Sequence, residues 1–262
     1  MKSIALTFIS FLFCVQVIQA NVIVLNGLTH SYSGVSGQTF QGQVVLANTS
    51  NVDQRVTFSL SEAIYSCDAE RVFAADVLHK NSATNWFESS IMDKVLGPKE
   101  RYIFKYNITV PNDQALKGSF WTTLMINVEK PILEEVVSDF KIGSKVRYAV
   151  RLLADVNIND DVQLDFESAD IVLNTISTTR QLDIKIRNQN TFIENVRLSL
   201  EFYDVYGNLV LETETKRLKA FPETCKIFSL DISKLPVGTY QCVAIVDSRD
   251  EYVGTNLSLT ID

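Results

Sequence analysis

Histidine occurs only twice in the 262 residues, as His30 and His79. Imidazole is the usual proton carrier near neutral pH, so hydrolytic triads and zinc-protease sites have little to build on. There is no Gly-x-Ser-x-Gly elbow, phosphate-binding glycine loop or His-Glu-x-x-His. Carboxylates are plentiful, yet nothing in their spacing gathers two of them around a substrate. The expectation is a non-catalytic protein without a cofactor, its two histidines being exposed polar residues. Positive charge is also short, with 24 Lys and Arg against 31 Asp and Glu and a net charge of −7. Nucleic acid and anionic membrane need a concentrated basic face, so neither is expected as a partner. Apolar runs of membrane-spanning length, 18 residues or more, are missing as well.

The N-terminus supplies a different signal. Lys2 precedes an apolar stretch over residues 4–18, and Ala20 offers a small residue before Asn21. That pattern predicts a signal peptide over 1–20, removed on export, with no stable membrane anchor after cleavage. Three cysteines then remain: Cys67, Cys225 and Cys242. None has the close spacing of a zinc site. Cys225 and Cys242 flank a short connection, and an oxidising compartment could join them. Strand phase argues the other way, because Phe228, Leu230 and Ile232 leave Cys225 facing outward while Cys242 shares its phase with Tyr240 and Ala244. A chain of this length can bury roughly 70–75% of its unfolded surface and needs no such bridge to hold a core.

Beyond residue 21, hydrophobicity alternates with period two, the mark of half-buried strands. The clearest segments are 43–47, 55–60, 102–110, 120–128 and 145–156, then 171–173, 182–187, 196–203, 209–213, 227–232 and 240–246. Turn residues separate them, as at Gly97-Pro98, Pro111-Asn112-Asp113, Tyr206-Gly207-Asn208 and Pro236-Val237-Gly238. No helical stripe exceeds two turns. The fold class is all-β.

The chain also repeats itself. Val44 to Asn48 and Val56 to Leu60 align without a gap on Ile184 to Asn188 and Val196 to Leu200. Pro98-Lys-Glu then matches Pro222-Glu-Thr, and Gly118-Ser-Phe120 matches Gly238-Thr-Tyr240. Three blocks in one order predict two tandem immunoglobulin-like β-sandwiches, over 21–158 and 159–262. Tyr240, two residues before the inward Cys242, fits a tyrosine corner whose hydroxyl bonds the backbone a few residues upstream. The first copy is the longer, with an insertion in 64–94 that contains Cys67, His79, Trp86 and Phe87. Loops carry function more often than strands, so His79, Trp86 and Phe87 form one candidate site.

Two further candidates come from the end of the first copy. Segment 145–156 puts Val146, Tyr148, Val150 and Leu152 on one face, and Arg147 and Arg151 on the other. As an edge strand it could accept a partner's strand, although a core strand would show the same pattern. After it, Asp155, Asn157 and Asn159 repeat the opening spacing of a calcium loop, but Asp160 replaces the sixth-position glycine and Phe166 the final glutamate. An EF-hand is excluded, leaving a looser calcium site of Asp155, Asp160 and Asp161 beside the plainer reading of a solvated acidic hinge.

Taken together, Asn85-Trp86-Phe87, Leu96-Gly-Pro-Lys-Glu100, Val110-Pro111 and Gly118-Ser-Phe-Trp121 resemble the first immunoglobulin-like domain of WxL-interacting bacterial envelope proteins. More distantly they resemble PapD-like periplasmic pilus chaperones. Asp204-Val-Tyr-Gly-Asn208 and Leu235-Pro-Val-Gly-Thr-Tyr240 are similar to the second sandwich of such exported proteins. The resemblance implies a binding module of the bacterial envelope, in the periplasm or at the cell surface. Its partner would be another envelope or surface protein, held in a chaperone-like way at a sheet edge. Pilus chaperones hold a subunit's terminal carboxylate with an arginine in the first strand and a lysine after the edge strand. Here residues 21–32 contain no arginine and 157–165 no lysine. The alternative is a structural or adhesive surface component that binds glycan or a host ligand through the insertion.

Overall fold

The computed structural model describes residues 21–67, 71–75, 77–90, 92–129, 146–158, 161–173 and 179–261. The expected signal segment and Asp160 lie outside these. Strands dominate, as the alternation requires, and among the described residues the one helical piece is the 3₁₀ turn Thr84–Trp86. No helix there is long and apolar enough to cross a membrane.

The first sandwich begins with β1 (Val22–Val24), β2 (Thr29–Gly34), β3 (Thr39–Asn48), β4 (Gln54–Ile64) and β5 (Val72–Ala74). It continues with β6 (Phe87–Glu88), β7 (Asp93–Leu96), β8 (Arg101–Thr109), β9 (Gly118–Glu129) and β10 (Val146–Val156). One sheet runs β1-β3-β8-β6, and the other β2-β10-β9-β4-β5, with β7 also on β4. Their inner faces bury Val44, Leu46, Phe58, Phe104, Leu124, Ile126, Val150 and Leu152. The rings of Phe58 and Phe104 stack across the gap at 4.1 Å. The opening segment serves both sheets: β1 pairs antiparallel with β3, and after a crossing at Gly27 (φ +87°) β2 runs parallel to β10. Only glycine takes that backbone conformation without strain.

The second sandwich contains β11 (Leu164–Leu173), β12 (Arg180–Asn188), β13 (Glu194–Tyr203) and β14 (Leu209–Glu214). It ends with β15 (Leu218–Ala220), β16 (Cys225–Asp231), β17 (Gly238–Ser248) and β18 (Glu251–Ile261). Its sheets are β11-β12-β16 and β14-β13-β17-β18, with β15 on β13. Leu182, Ile184, Ile186, Leu198, Leu200, Phe202, Phe228 and Val246 fill its core.

The sequence repeat is a structural one. Asn48 and Asn188, both buried, end β3 and β12. The Asn188 side-chain amide donates to the carbonyls of Phe192 (2.7 Å) and Ala220 (2.9 Å) and accepts from the Asn190 N–H (2.9 Å). Asn48 does the same with Val52 and Gly97 (both 2.8 Å) and the Ser50 N–H (3.0 Å). Lys99 and Glu223, each following the matched proline, both have φ close to +60° (59° and 58°). The Tyr240 hydroxyl donates to Pro236 O at 2.9 Å, completing the tyrosine corner.

The cysteine pairing differs from the one weighed on chain proximity. Cys67 is bonded to Cys225, and Cys242 is a buried free thiol. Cys225 faces outward from β16 and Cys242 faces the core, so the two cannot meet without breaking strand phase. The partner comes instead from the other sandwich. The bridge lies beside an apolar seam of Ala63, Trp121, Leu153 and Phe221, flanked by Tyr65 and Ile193. Tyr65 stacks on Phe221 with centroids 3.5 Å apart.

A partly open strand edge beside a basic cleft

β10 pairs with β9 along its whole length, but with β2 only from Arg151 to Val156. Among the described residues, Val146 to Val150 therefore have one unpaired edge. The Arg151 N–H donates to Leu28 O across that edge at 3.0 Å. Backbone groups alternate sides along a strand, so Arg147 and Ala149 present their N–H and C=O groups to the open side.

The side chains named from sequence take different places. Val150 and Leu152 are sealed in the first core, which corrects their assignment to a contact surface. A partner could meet the backbone at this point but not those side chains. Val146 and Tyr148 are half-buried at the margin of that core. The Tyr148 hydroxyl spans the sandwich to Val22 O at 2.6 Å, which fixes the strand beneath its open edge. Arg147 is exposed and donates to Asn127 Oδ1 at 2.7 Å.

Arg151 points into a cleft of ≈ 800 Å³ between the sandwiches. Five cations line it (Arg71, Arg151, Arg217, Lys219 and Lys226) against one carboxylate, Asp183. That is a local reversal in a chain of net charge −7. Arg217 is committed to Asp247, 2.6 Å away, and Arg71 lies over the Phe73 ring. Lys219 is half-buried, and burial lowers the pKa of its ammonium. Asp155 pulls in the opposite direction, and Arg151 adds to the lowering. Two like charges from different sandwiches thus line one cleft. Low-dielectric surroundings strengthen their field toward an anion. Arg151 is visible in sequence as a strand residue, but Lys219 gives no signal, since only the fold brings it into the same cleft.

The insertion residues do not form an open stripe. Trp86 is buried in the first core against Phe120, with centroids 4.7 Å apart. Phe87 stacks on Tyr106 at 5.4 Å. His79 lies 2.9 Å from the buried Glu62 carboxylate and 4.5 Å from the Trp121 ring. Their apolar surface is spent on the first sandwich and on the seam. His30 is likewise partnered, its Nδ1 being 2.8 Å from the Tyr106 hydroxyl.

Of the acidic hinge, Asp155 accepts the Ser119 hydroxyl. Burial raises its pKa, and that hydrogen bond opposes the rise. The Asp161 carbonyl accepts from Asn190 and Arg249. Among the described residues, the one group with metal-ligand spacing is Cys67, Cys225 and Glu167. Its sulfurs are consumed by the disulfide, and Glu167 is paired with Arg187 and Lys185.

No family model matches the chain, and no curated protein matches it. Among solved structures, it is similar to a class 5 fimbriae chaperone, CfaA (13% identity, 92% of this chain, 98% of that one, TM-score 0.47). It is also similar to a chain of the Salmonella enterica SafA pilin complex with the SafB chaperone (12% identity, 92% and 96% covered, TM-score 0.46). A third is a chain of the chaperone–tip adhesin complex of CFA/I fimbriae (13% identity, 91% and 98% covered, TM-score 0.45).

Proposed function

We propose that this chain is an exported, non-catalytic, chaperone-like binding module that holds an extended segment of another envelope or surface protein. The observation that carries the reading is the open edge of Val146 to Val150, which stops at Arg151 where β2 begins. A strand added parallel to β10 would lie in line with β2, and its C-terminus would fall beside Arg151. A terminal carboxylate there would meet Arg151 and Lys219. Backbone pairing would supply sequence-tolerant affinity, and the cations would supply register. The Cys67–Cys225 bridge agrees with export, since such bonds persist in oxidising compartments.

The test is calorimetric titration with a short alternating apolar peptide, prepared as the free acid and as the C-terminal amide. A charge-assisted hydrogen bond contributes about 1.5–3 kcal/mol, so the acid should bind about ten- to a hundredfold more tightly. Arg151→Gln and Lys219→Gln should each shrink that preference and leave amide binding in place. Equal affinity for acid and amide would remove the cleft from the reading, and failure of both peptides to bind would remove the edge.

A further inference from the structure

Arg151 belongs to the first sandwich and Lys219 to the second, so their pairing exists only while the two bodies keep their mutual angle. Among the described residues, the contacts that maintain it besides the disulfide are few, and the Tyr65 and Trp121 rings on Phe221 are the chief of them. The apolar seam has four buried members. Two hydrogen bonds join Ser119 to the β12–β13 loop, from Ser119 N to Thr191 O (2.9 Å) and from Ile193 N to Ser119 Oγ (2.7 Å). The Lys80–Glu223 pair is mostly exposed and contributes little. Across the junction Arg151 repels Lys219, but Asp155 of the first sandwich attracts it more strongly.

Cys67 follows β4 in the first sandwich, Cys225 opens β16 in the second, and both line the cleft. Both are half-buried, so a small dithiol can reach them. The open edge of β10, in contrast, lies wholly within the first sandwich. A change of angle would therefore leave strand pairing intact and separate the two cations.

We propose that the Cys67–Cys225 disulfide is a redox-sensitive latch that keeps the two-domain carboxylate site assembled, so that reduction releases a partner's terminus while its strand stays paired. The inference rests on the strand-and-carboxylate reading above. In the chemical step a dithiol gives two electrons and two protons to the bridge. The S–S bond breaks, Cys67 and Cys225 become thiols, and the dithiol closes to its own disulfide.

The experiment compares the folded oxidised protein, the same protein after dithiothreitol, and a separately purified Cys67→Ser/Cys225→Ser variant. Small-angle scattering reads the domain angle without any ligand, and titration with the acid and amide peptides reads the site. The expected result is a broader interdomain distance distribution on reduction, with acid affinity falling at least tenfold and amide affinity unchanged. The double variant should match the reduced protein. Identical scattering in oxidised and reduced protein overturns the latch, as does undiminished preference for the acid. If the distribution broadens while neither peptide binds in either state, the latch on the domain angle stands and the binding reading falls instead.

Discussion

The imidazole of His79 lies against the wholly buried carboxylate of Glu62, Nε2 to Oε2 2.9 Å, behind the Trp121 ring of the interdomain seam. His79 Nδ1 accepts the Asn81 N–H, so the neutral ring carries its proton on Nε2, facing Glu62. The other Glu62 oxygen accepts the hydroxyls of Ser82 and Thr84. Burial lowers the His79 pKa, and Glu62 pulls the other way without reversing the shift.

A first prediction follows from that direction. A histidine whose folded pKa lies below its unfolded value of about 6.5 stabilises the protein above that pH, and the contribution is lost as pH falls through the folded pKa. Unfolding stability should therefore decline between pH 7 and pH 5 more steeply in the native protein than in His79→Gln. Urea titrations across this range check it, and parallel pH curves would contradict the assignment.

Asn188→Ala should be among the most damaging polar-to-small changes in the second sandwich. It leaves the carbonyls of Phe192 and Ala220 and the N–H of Asn190 without their partner. Each orphaned buried group costs about 1–3 kcal/mol, partly relieved where water can enter. A loss of roughly 2–4 kcal/mol is expected in chemical denaturation.

Tyr240→Phe should be mild by comparison. The ring keeps its place in the core, and the change removes one bond to Pro236 O. The equivalent position of the first sandwich already holds Phe120. A fall of about 1 kcal/mol is expected, visible as a Tm lower by a few degrees.

The edge of β10 is best tested at Ala149. Its N–H points to the open side, so Ala149→Pro removes a donor that β9 does not use. Peptide binding should fall at least tenfold while the circular dichroism spectrum and melting temperature stay near native. Val150→Asp, in contrast, puts a charge into the core and should unfold the first sandwich whatever the edge does.

Much of the fold was legible because β-strands write their period directly into sequence. The segments that became β3, β4, β8, β9, β12, β13, β16 and β17 each face a packed core, so their alternation is strong. β5, β6, β7 and β15 are two to four residues long, too short for any period to register. β18 alternates through Val253, Leu257, Leu259 and Ile261, but Gly254, Thr255 and Asn256 interrupt its apolar pattern and weaken the signal. For the site, the phase of Val146 to Val156 was readable, but not which backbone groups have a neighbour. That depends on β2, which reaches Arg151 and stops. The cleft was invisible for the same reason. Arg151, Lys219, Cys67 and Cys225 meet through the packing of two bodies, and no local pattern encodes that.

Cys242 bears on how the chain matures. Its burial pushes the thiol pKa up to about 12, so its nucleophilic thiolate is nearly absent at neutral pH. Of the three pairings open to Cys67, Cys225 and Cys242, two need this sulfur. A chain whose second sandwich closes before an oxidant arrives has already discarded both. A chain oxidised earlier has not, and can trap a core residue in the wrong bond. Correct pairing thus depends on the order of two events, collapse and then oxidation, and substituting Cys242 with alanine would relax that order.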